Sequence, residues 1–294
     1  MAQRDVLVTV LINNYNYGLF LNQAIDSALN QTYQNIEVVV VDDGSTDESR
    51  DIILGYGDNV VKVLKENGGQ ASAFNAGIGA SRGEVICMLD SDDWFFPDKV
   101  ERLIPYSRPS SILHHRLQMQ PGPGLIPSTT VEPIDVYAYA RRYRFIPFGG
   151  SPTSGIAISR DLAVKLLPFP KVRASADDFL VRGAALLGNI IGIPEVLGAY
   201  RIHGNNVWYG TNSRKSDEFN RELERYLNEK LVTAGKEPVI DFFHSMYGRE
   251  SVPQNAAELS RLAISVFRHH SDLVTFKFMV KTLALGLKRA VPGS

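Results

Sequence analysis

Four short runs of this 294-residue chain concentrate side chains that bind cations and phosphates. They are Asn13-Asn14-Tyr15-Asn16, Asp42-Asp43-Gly44-Ser45, Glu66-Asn67-Gly68-Gly69-Gln70 and Asp90-Ser91-Asp92-Asp93. Singly, each has an ordinary explanation. Asp-Gly-Ser is turn and capping chemistry, Asn-Gly-Gly is a turn, and Asp-Ser-Asp-Asp suits a solvated helix start favoured by the helix dipole. Each run, however, directly follows a stretch that reads as a β-strand. Carboxylates crowded at a common strand edge repel, and a divalent cation relieves that repulsion. Asp90 and Asp92 alternate across an extended strand end, a spacing of two oxygens that suits Mg2+ or Mn2+. Magnesium keeps waters and takes substrate phosphates as its other ligands, so the pattern points to a nucleoside diphosphate.

The elements that must position these groups are legible in the apolar pattern. Val6 to Ile12, Ile36 to Val41, Val60 to Leu64 and Val85 to Leu89 read as strands, the first and second as near-continuous apolar runs. Between them, Leu21, Ala24, Ile25, Ala28 and Leu29 follow helical spacing, and Ala71 to Ala80 forms a small-residue helix that stops at Arg82-Gly83. Ser45 with Glu48 reads as a capping box for a helix running to about Leu54. Alternating strands and helices imply a parallel sheet covered on both faces, with ligands outside the carboxyl ends of the strands.

Residues 106–170 are punctuated by Pro109, Pro121, Pro123, Pro127, Pro133, Pro147 and Pro152, which excludes long helices there. Ile112 to Met119 and Gly155 to Ser159 are strand candidates in that stretch, and a helix is expected near Asp178 to Leu187. Residues 212–294 read as helical and charged.

Composition narrows the function. Thirty-one basic against 32 acidic side chains give a net charge of -1, which does not indicate a basic nucleic-acid binder. The single cysteine, Cys87, excludes a disulfide scaffold and a cysteine-built metal site, and its apolar setting predicts an inert buried thiol. The first residues lack the apolar core of a signal peptide, and no run of 18 apolar residues occurs, so a cytoplasmic protein is expected. The phosphate loop G-x-x-x-x-G-K-[ST] is absent. Gly77, Gly79 and Gly83 have a dinucleotide-like spacing, but they close a helix and precede a strand, the reverse of the required order.

The blocks also carry a resemblance. Val40-Val41-Asp42-Asp43-Gly44-Ser45-Thr46-Asp47 resembles the nucleotide-binding motif of family 2 glycosyltransferases. Asn67-Gly68-Gly69 with Asn75-Ala76-Gly77 and Arg82-Gly83-Glu84 resembles the next block of that family. Leu89-Asp90-Ser91-Asp92-Asp93-Trp94 followed by Pro97-Asp98-Lys99 is similar to its metal-binding D-x-D block. The likeness covers roughly residues 4–205, with the blocks in the family's order. It implies a GT-A fold: an α/β architecture with a mainly parallel sheet, helices on both faces and here a C-terminal helical extension. The activity it implies is sugar transfer from a nucleotide-diphospho-sugar, a UDP-sugar in the first instance, with inversion at the anomeric carbon. The acceptor would be a glycan or a lipid-linked saccharide of the cell envelope or an exopolysaccharide.

On this resemblance Asp43 accepts a hydrogen bond from the base, while Asn13 and Asn67 line the nucleoside pocket. Gln70 joins the donor-binding set, and Asp90 contacts the ribose or the metal. Asp92 ligates the Mn2+ or Mg2+ that bridges the diphosphate. In Ala176-Asp177-Asp178-Phe179-Leu180-Val181-Arg182, Asp178 matches the family's catalytic base, Asp177 replaces the usual Glu, and Val181 replaces the usual tryptophan. Tyr200-Arg201-Ile202-His203 is similar to a Tyr-Arg-x-His segment, which makes His203 a metal or diphosphate ligand. Trp94 is expected beside the sugar pocket and Trp208 in a flap, while His114-His115 and His269-His270 read as surface or packing residues.

Two other classes are consistent with an acidic edge. A nucleotidyltransferase would want a glycine- and lysine-rich signature near the first strand, where Asn13 to Gly18 holds no basic residue. A non-catalytic nucleotide-sugar-binding protein would not need both Asp92 and Asp178. The expected domain plan is a glycosyltransferase domain over 1–210, with a nucleotide half at 1–105 and an acceptor half at 106–210, then a helical region at 211–294. Residues 261–294 hold six basic side chains and one acidic, Asp272, between apolar ones. That pattern suits a helix packed on the catalytic domain first, and peripheral membrane contact through 256–290 second.

Overall fold

The computed structural model describes residues 5–143, 146, 151–173, 175–204, 206 and 217–241. The first half alternates as expected: β1 (Val8–Asn14), α1 (Gly18–Leu29), β2 (Ile36–Asp43), α2 (Ser49–Gly55), β3 (Val61–Lys65), α3 (Gln70–Ala80) and β4 (Val85–Asp90). The second half is less regular: β5 (Trp94–Phe95), α4 (Lys99–Leu103), β6 (Ser111–Gln120), β7 (Leu125–Ile126), α5 (Val136–Tyr143), β8 (Ile156–Ser159), α6 (Arg160–Leu166), α7 (Ala176–Leu187), β9 (Asn189–Arg201) and α8 (Asp217–Thr233).

One nine-stranded sheet runs β3-β2-β1-β4-β8-β6-β9-β5, with β7 paired to β6. β3, β2, β1 and β4 are parallel. β8 is antiparallel to both β4 and β6, and β9 is parallel to β6, so β6 and β9 share the direction of the first four. Strands β5, β7 and β8 run the other way, and the sheet is mainly parallel.

The near-continuous apolar strands are buried on both faces. Leu11, Val39, Val41, Ile86 and Met88 pack with α3, α6 and α7 on one side. Val8, Val10, Ile12, Val38, Val40, Cys87 and Leu89 pack with α1 and α4 on the other. Cys87 is fully buried, as its apolar setting implies. A Cβ at Gly77 would lie 2.4 Å from Leu11 Cδ1, so that glycine lets α3 sit directly on the sheet. This is its structural use, in place of a dinucleotide loop.

One expectation changes, and others gain detail. The helix after β2 starts at Ser49, not at Ser45. Ser45 instead serves the strand ends: its Oγ accepts from Asn14 Nδ2 (3.2 Å) and Asn16 N (2.9 Å), and its N–H donates to Asp42 Oδ2 (3.0 Å). The proline-rich stretch holds two short helices, α5 and α6, besides its strands. His114 and His115 are packing residues, both at most 1% exposed in β6. Helix α8 packs Leu223, Tyr226, Leu227 and Leu231 into the same core as Phe169 and Phe179. Trp208, His269-His270 and the 256–290 stretch lie outside the described residues. Among the described residues, no helix is long and apolar enough to cross a membrane.

Candidate active site

The carboxyl ends of β1, β2, β3 and β4 meet at one edge, where the four polar runs converge. On the β2–β3 side, Asp43 is 3% exposed. Its Oδ1 accepts from Gly68 N (3.0 Å) and from Lys65 Nζ, and its Oδ2 accepts from Gly69 N (2.7 Å). Asn67 Nδ2 donates to the Asp43 backbone oxygen at 2.9 Å, so Asp43 and Asn67 are brought together as expected. Behind them Asp42 accepts from Asn14 Nδ2 (3.1 Å) and pairs with Arg50 at 2.9 Å. Burial pushes the Asp42 carboxyl up, but its bonds from Ser45, Arg50 and Asn14 outweigh that and hold it below its ordinary range.

On the β1–β4 side, Asn13 Nδ2 donates to Asp90 Oδ1 at 2.6 Å. The Asp90–Asp92 segment is a turn rather than an extended end, because Asp93 N closes on Asp90 O at 3.1 Å. The turn gathers carboxylate oxygens of Asp90, Asp92 and Asp93 within 4.8 Å of one another. Burial first, and the Asp92 charge second, push the Asp90 carboxyl up to about 7. Asp93 is pushed up for the same reasons.

The segment at the end of β9 closes this turn from across the sheet. His203 Nε2 lies 2.9 Å from Asp92 Oδ2, so the two residues expected at a metal are neighbours. The His203 ring is seated against Tyr17 and Phe20, with centroids 5.6 and 5.2 Å away. Arg201 Nε donates to the Asp92 backbone oxygen (2.7 Å), and Arg201 N donates to Asp93 Oδ1 (2.8 Å). The Arg201 guanidinium lies 4.6 Å from the ring centres of both Phe20 and Trp94. Trp94 also lines an open groove along α1 with Gln23, Asp26, Asn30 and Pro97.

Helix α7 supplies the second acidic group. Asp178 Oδ1 accepts from Arg182 Nε at 3.0 Å, one turn along the helix. The start of α7 is tied to the end of the third polar run, where Gln70 N donates to Arg173 O at 3.1 Å. Burial lowers the Arg182 pKa, and the Asp177 charge opposes the shift. Gln70, expected in the donor-binding set, directs its Oε1 to the backbone N–H of Ala176 at 2.9 Å.

The donor set fits a hard divalent cation. It offers carboxylate oxygens and one imidazole, with elevated carboxyl pKa values that a positive charge would reverse. Asp93 and Arg201 carry much of this geometry and were not singled out from sequence. Asp93 holds Ser154 Oγ at 2.6 Å and Arg201 N, partners 61 and 108 residues away. Only their adjacency to Asp92 and His203 signalled them.

The sequence pattern described as glycosyl transferase family 2 matches residues 9–162, more than half of the chain. The chain belongs to this family. An uncharacterized glycosyltransferase of Nostoc sp. is 33% identical over 266 residues, 83% of this chain and 81% of the relative. One from Rickettsia prowazekii is 48% identical over 98 residues, 33% of this chain and 31% of its own length. Among solved structures, the 1–349 fragment of S. aureus TarS in complex with UDP-GlcNAc matches with a TM-score of 0.58 at 16% identity, covering 90% of this chain and 81% of that one. The mannosyltransferase PcManGT from Pyrobaculum calidifontis, in complex with GDP-Man and Mn2+, matches at 0.51 and 20%, covering 95% and 80%. At these identities the structures bear on the fold, and the fold is the GT-A architecture of family 2 glycosyltransferases. Family membership sets aside the nucleotidyltransferase reading.

Proposed function

We propose that this glycosyltransferase moves a sugar from a UDP-sugar to an acceptor hydroxyl with inversion, Asp178 acting as general base. The observation that carries the reading is the meeting of two acidic elements at one sheet edge: the Asp92–His203 pair, 2.9 Å apart, and the start of α7, tied to the third polar run by the 2.9 Å bond from Ala176 N to Gln70 Oε1. A transferase of this kind needs a place for the diphosphate and a proton acceptor on the opposite side of the reacting carbon.

In the reaction, the acceptor oxygen forms a bond to the anomeric carbon. The bond from that carbon to the diphosphate oxygen breaks, and UDP leaves with the electron pair. The acceptor proton passes to the Asp178 carboxylate. Arg182, 3.0 Å from Asp178, orients the carboxylate. Asp43, Asn67 and Asn13 bind the nucleoside, and Asp90 contacts the ribose or the metal. Asp92 and His203 would hold Mn2+ or Mg2+, which supplies positive charge to the diphosphate as it leaves. Arg201 fixes the Asp92 backbone and so the aim of that carboxylate.

The UDP preference draws support from S. aureus TarS, solved with UDP and with UDP-GlcNAc. GDP-sugars are the rival donors, since PcManGT was solved with GDP-Man. The acceptor is a glycan or a lipid-linked saccharide of envelope or exopolysaccharide synthesis. Residues 1–210 form the transferase domain, and 211–294 extend it. A thermal-shift screen of UDP-, dTDP- and GDP-sugars with Mn2+, followed by nucleotide release, tests the reading. A ligand that binds the folded state alone raises the melting point by mass action. A protein that gains stability from none of these donors, and releases no nucleotide from them, is not this enzyme.

A further inference from the structure

Gln70 opens α3, yet its side chain serves another helix. Its Oε1 accepts the N–H of Ala176, the first residue of α7, at 2.9 Å. The first N–H groups of a helix have no partner within it, and a side chain from the residue just before usually caps one of them. Here that residue, Ser175, makes no side-chain cap bond and sits at φ 61°, the left-handed region. The cap comes instead from 106 residues away.

The backbones are joined as well. Gln70 N donates to Arg173 O (3.1 Å) and Ala71 N to Val172 O (3.4 Å). Gly69, at φ 83°, approaches so closely that a Cβ there would lie 2.6 Å from Arg173 Cα. The N–H groups of Gly68 and Gly69 are held by Asp43. A continuous chain of bonds therefore runs from Asp43 through Gln70 to the residue before Asp177 and Asp178.

We propose that Gln70 is a positioning residue that fixes the start of α7, and with it the Asp178 carboxylate, relative to the donor pocket. This assignment rests on the transferase reading above and takes Gln70 out of the set that touches the donor. The residue type fits the task. The helix dipole favours an anionic cap, but an anion here would add a third negative charge beside Asp177 and Asp178 and raise their pKa values. A neutral amide offers the oxygen without the charge. Displacing a reacting group by about 1 Å costs on the order of a hundredfold in rate, so the cap acts on turnover rather than on donor affinity.

The test uses the full chain with Mn2+ and a panel of UDP-glucose, UDP-GlcNAc, dTDP-glucose and GDP-mannose, with water as acceptor. For the donor that the wild type hydrolyses, calorimetry gives the affinity of the matching nucleoside diphosphate. Gln70→Ala is expected to lower kcat roughly tenfold to a hundredfold, with diphosphate affinity within about twofold. Gln70→Glu restores the oxygen and should recover turnover at high pH, with the acidic limb of the kcat profile moved up by about one unit. Tyr226→Phe is the control: it deletes a 2.6 Å bond to Leu166 O of α6, keeps the ring packed on Phe179, and should lower Tm with kcat within about twofold. The proposal is overturned if Gln70→Ala weakens diphosphate binding at unchanged kcat, or lowers Tm alone as Tyr226→Phe does. A wild type that releases nucleotide from no donor overturns the transferase reading, and this one with it.

Discussion

Along β1–β4 the buried acidic groups sit near strand ends, whereas the two buried histidines of β6 sit in mid-strand. Asp42, Asp43 and Asp93 are each at most 3% exposed, beside Asp90 and Asp92. Asp42 and Asp43 have cationic partners in Arg50 and Lys65. Asp90 and Asp93 have each other and Asp92, and their pKa values rise. His114 and His115 are buried, and burial alone takes His114 down to about 3. For His115 burial is also the first cause, with the Lys99 charge adding to it. The histidines are stored as neutral packing groups, which suits a fold. Carboxylates kept close together at an edge are unfavourable for the fold, which is what a cation-binding site accepts. The difference separates groups held for chemistry from groups held for packing.

The strongest way to test that separation is to remove charge at the edge without removing shape. Asp178→Asn should lower kcat by about a hundredfold to ten-thousandfold, the usual contribution of a general base, while the affinity for UDP with Mn2+ stays within about twofold. A variant that binds UDP poorly yet turns over at the wild-type rate would remove Asp178 from the base position. Asp92→Ala should act on binding instead. Loss of a group beside a metal costs on the order of tenfold to a hundredfold in metal affinity, and loss of a ligand itself at least as much. Calorimetric titration of UDP with and without Mn2+ checks this. If Mn2+ improves UDP binding as much in Asp92→Ala as in the wild type, the cation sits elsewhere.

The acidic edge was legible in sequence because β1, β2 and β4, buried on both faces, read as near-continuous apolar runs, β3 as a shorter one, and the residues just after them must reach the same edge. Asp43, Asn67, Asp90 and Asp92 could be named on that logic. Geometry decided by partners far along the chain could not. The D-x-D segment turns because Asp93 is drawn to Ser154 and Arg201. The Ser45–Glu48 capping box does not form because Asn14, Asn16 and Asp42 claim Ser45 first. Gln70 sits in a recognisable block, but nothing local says that its oxygen caps a helix more than a hundred residues later. His114 and His115 could be read as surface or packing residues, and their burial depends on β6 lying between β8 and β9 in the sheet.

The histidine side of the comparison predicts acid sensitivity. A histidine whose folded pKa lies below its ordinary 6.5 is neutral in the folded state while the unfolded chain takes a proton. Above pH 6.5 both states are neutral and stability is at its full value; it falls as pH drops below 6.5, down to about 3. At pH 5 this amounts to about 2 kcal/mol for each histidine. Urea unfolding at pH 7.5 and pH 5 measures it, and His115→Gln isolates one share. The loss on acidification should be about 2 kcal/mol smaller in the variant than in the wild type. An equal loss in both proteins would mean that His115 is not held neutral.

The acidic edge predicts the opposite sign and a smaller size. Asp90 has a folded pKa raised from 3.8 to about 7, so the folded state keeps a proton that the unfolded chain releases. The penalty starts as pH rises through 3.8 and is fully present above about 7. Asp90→Asn removes the charge but keeps an oxygen to accept from Asn13 Nδ2. Each unit of pKa difference is worth about 1.4 kcal/mol, and relaxation of the turn absorbs much of the shift. The variant should therefore be about 1 kcal/mol more stable than the wild type at pH 8 without metal, and no more stable at pH 4. Saturating Mn2+ should reverse the order at pH 8, because the cation stabilises only a site that keeps its charge. Metal-free urea melts at the two pH values, repeated with Mn2+ at pH 8, decide the matter. A variant less stable than the wild type at pH 8 without metal would mean that Asp90 stabilises the fold, and the distinction between the edge and the β6 core would then fail.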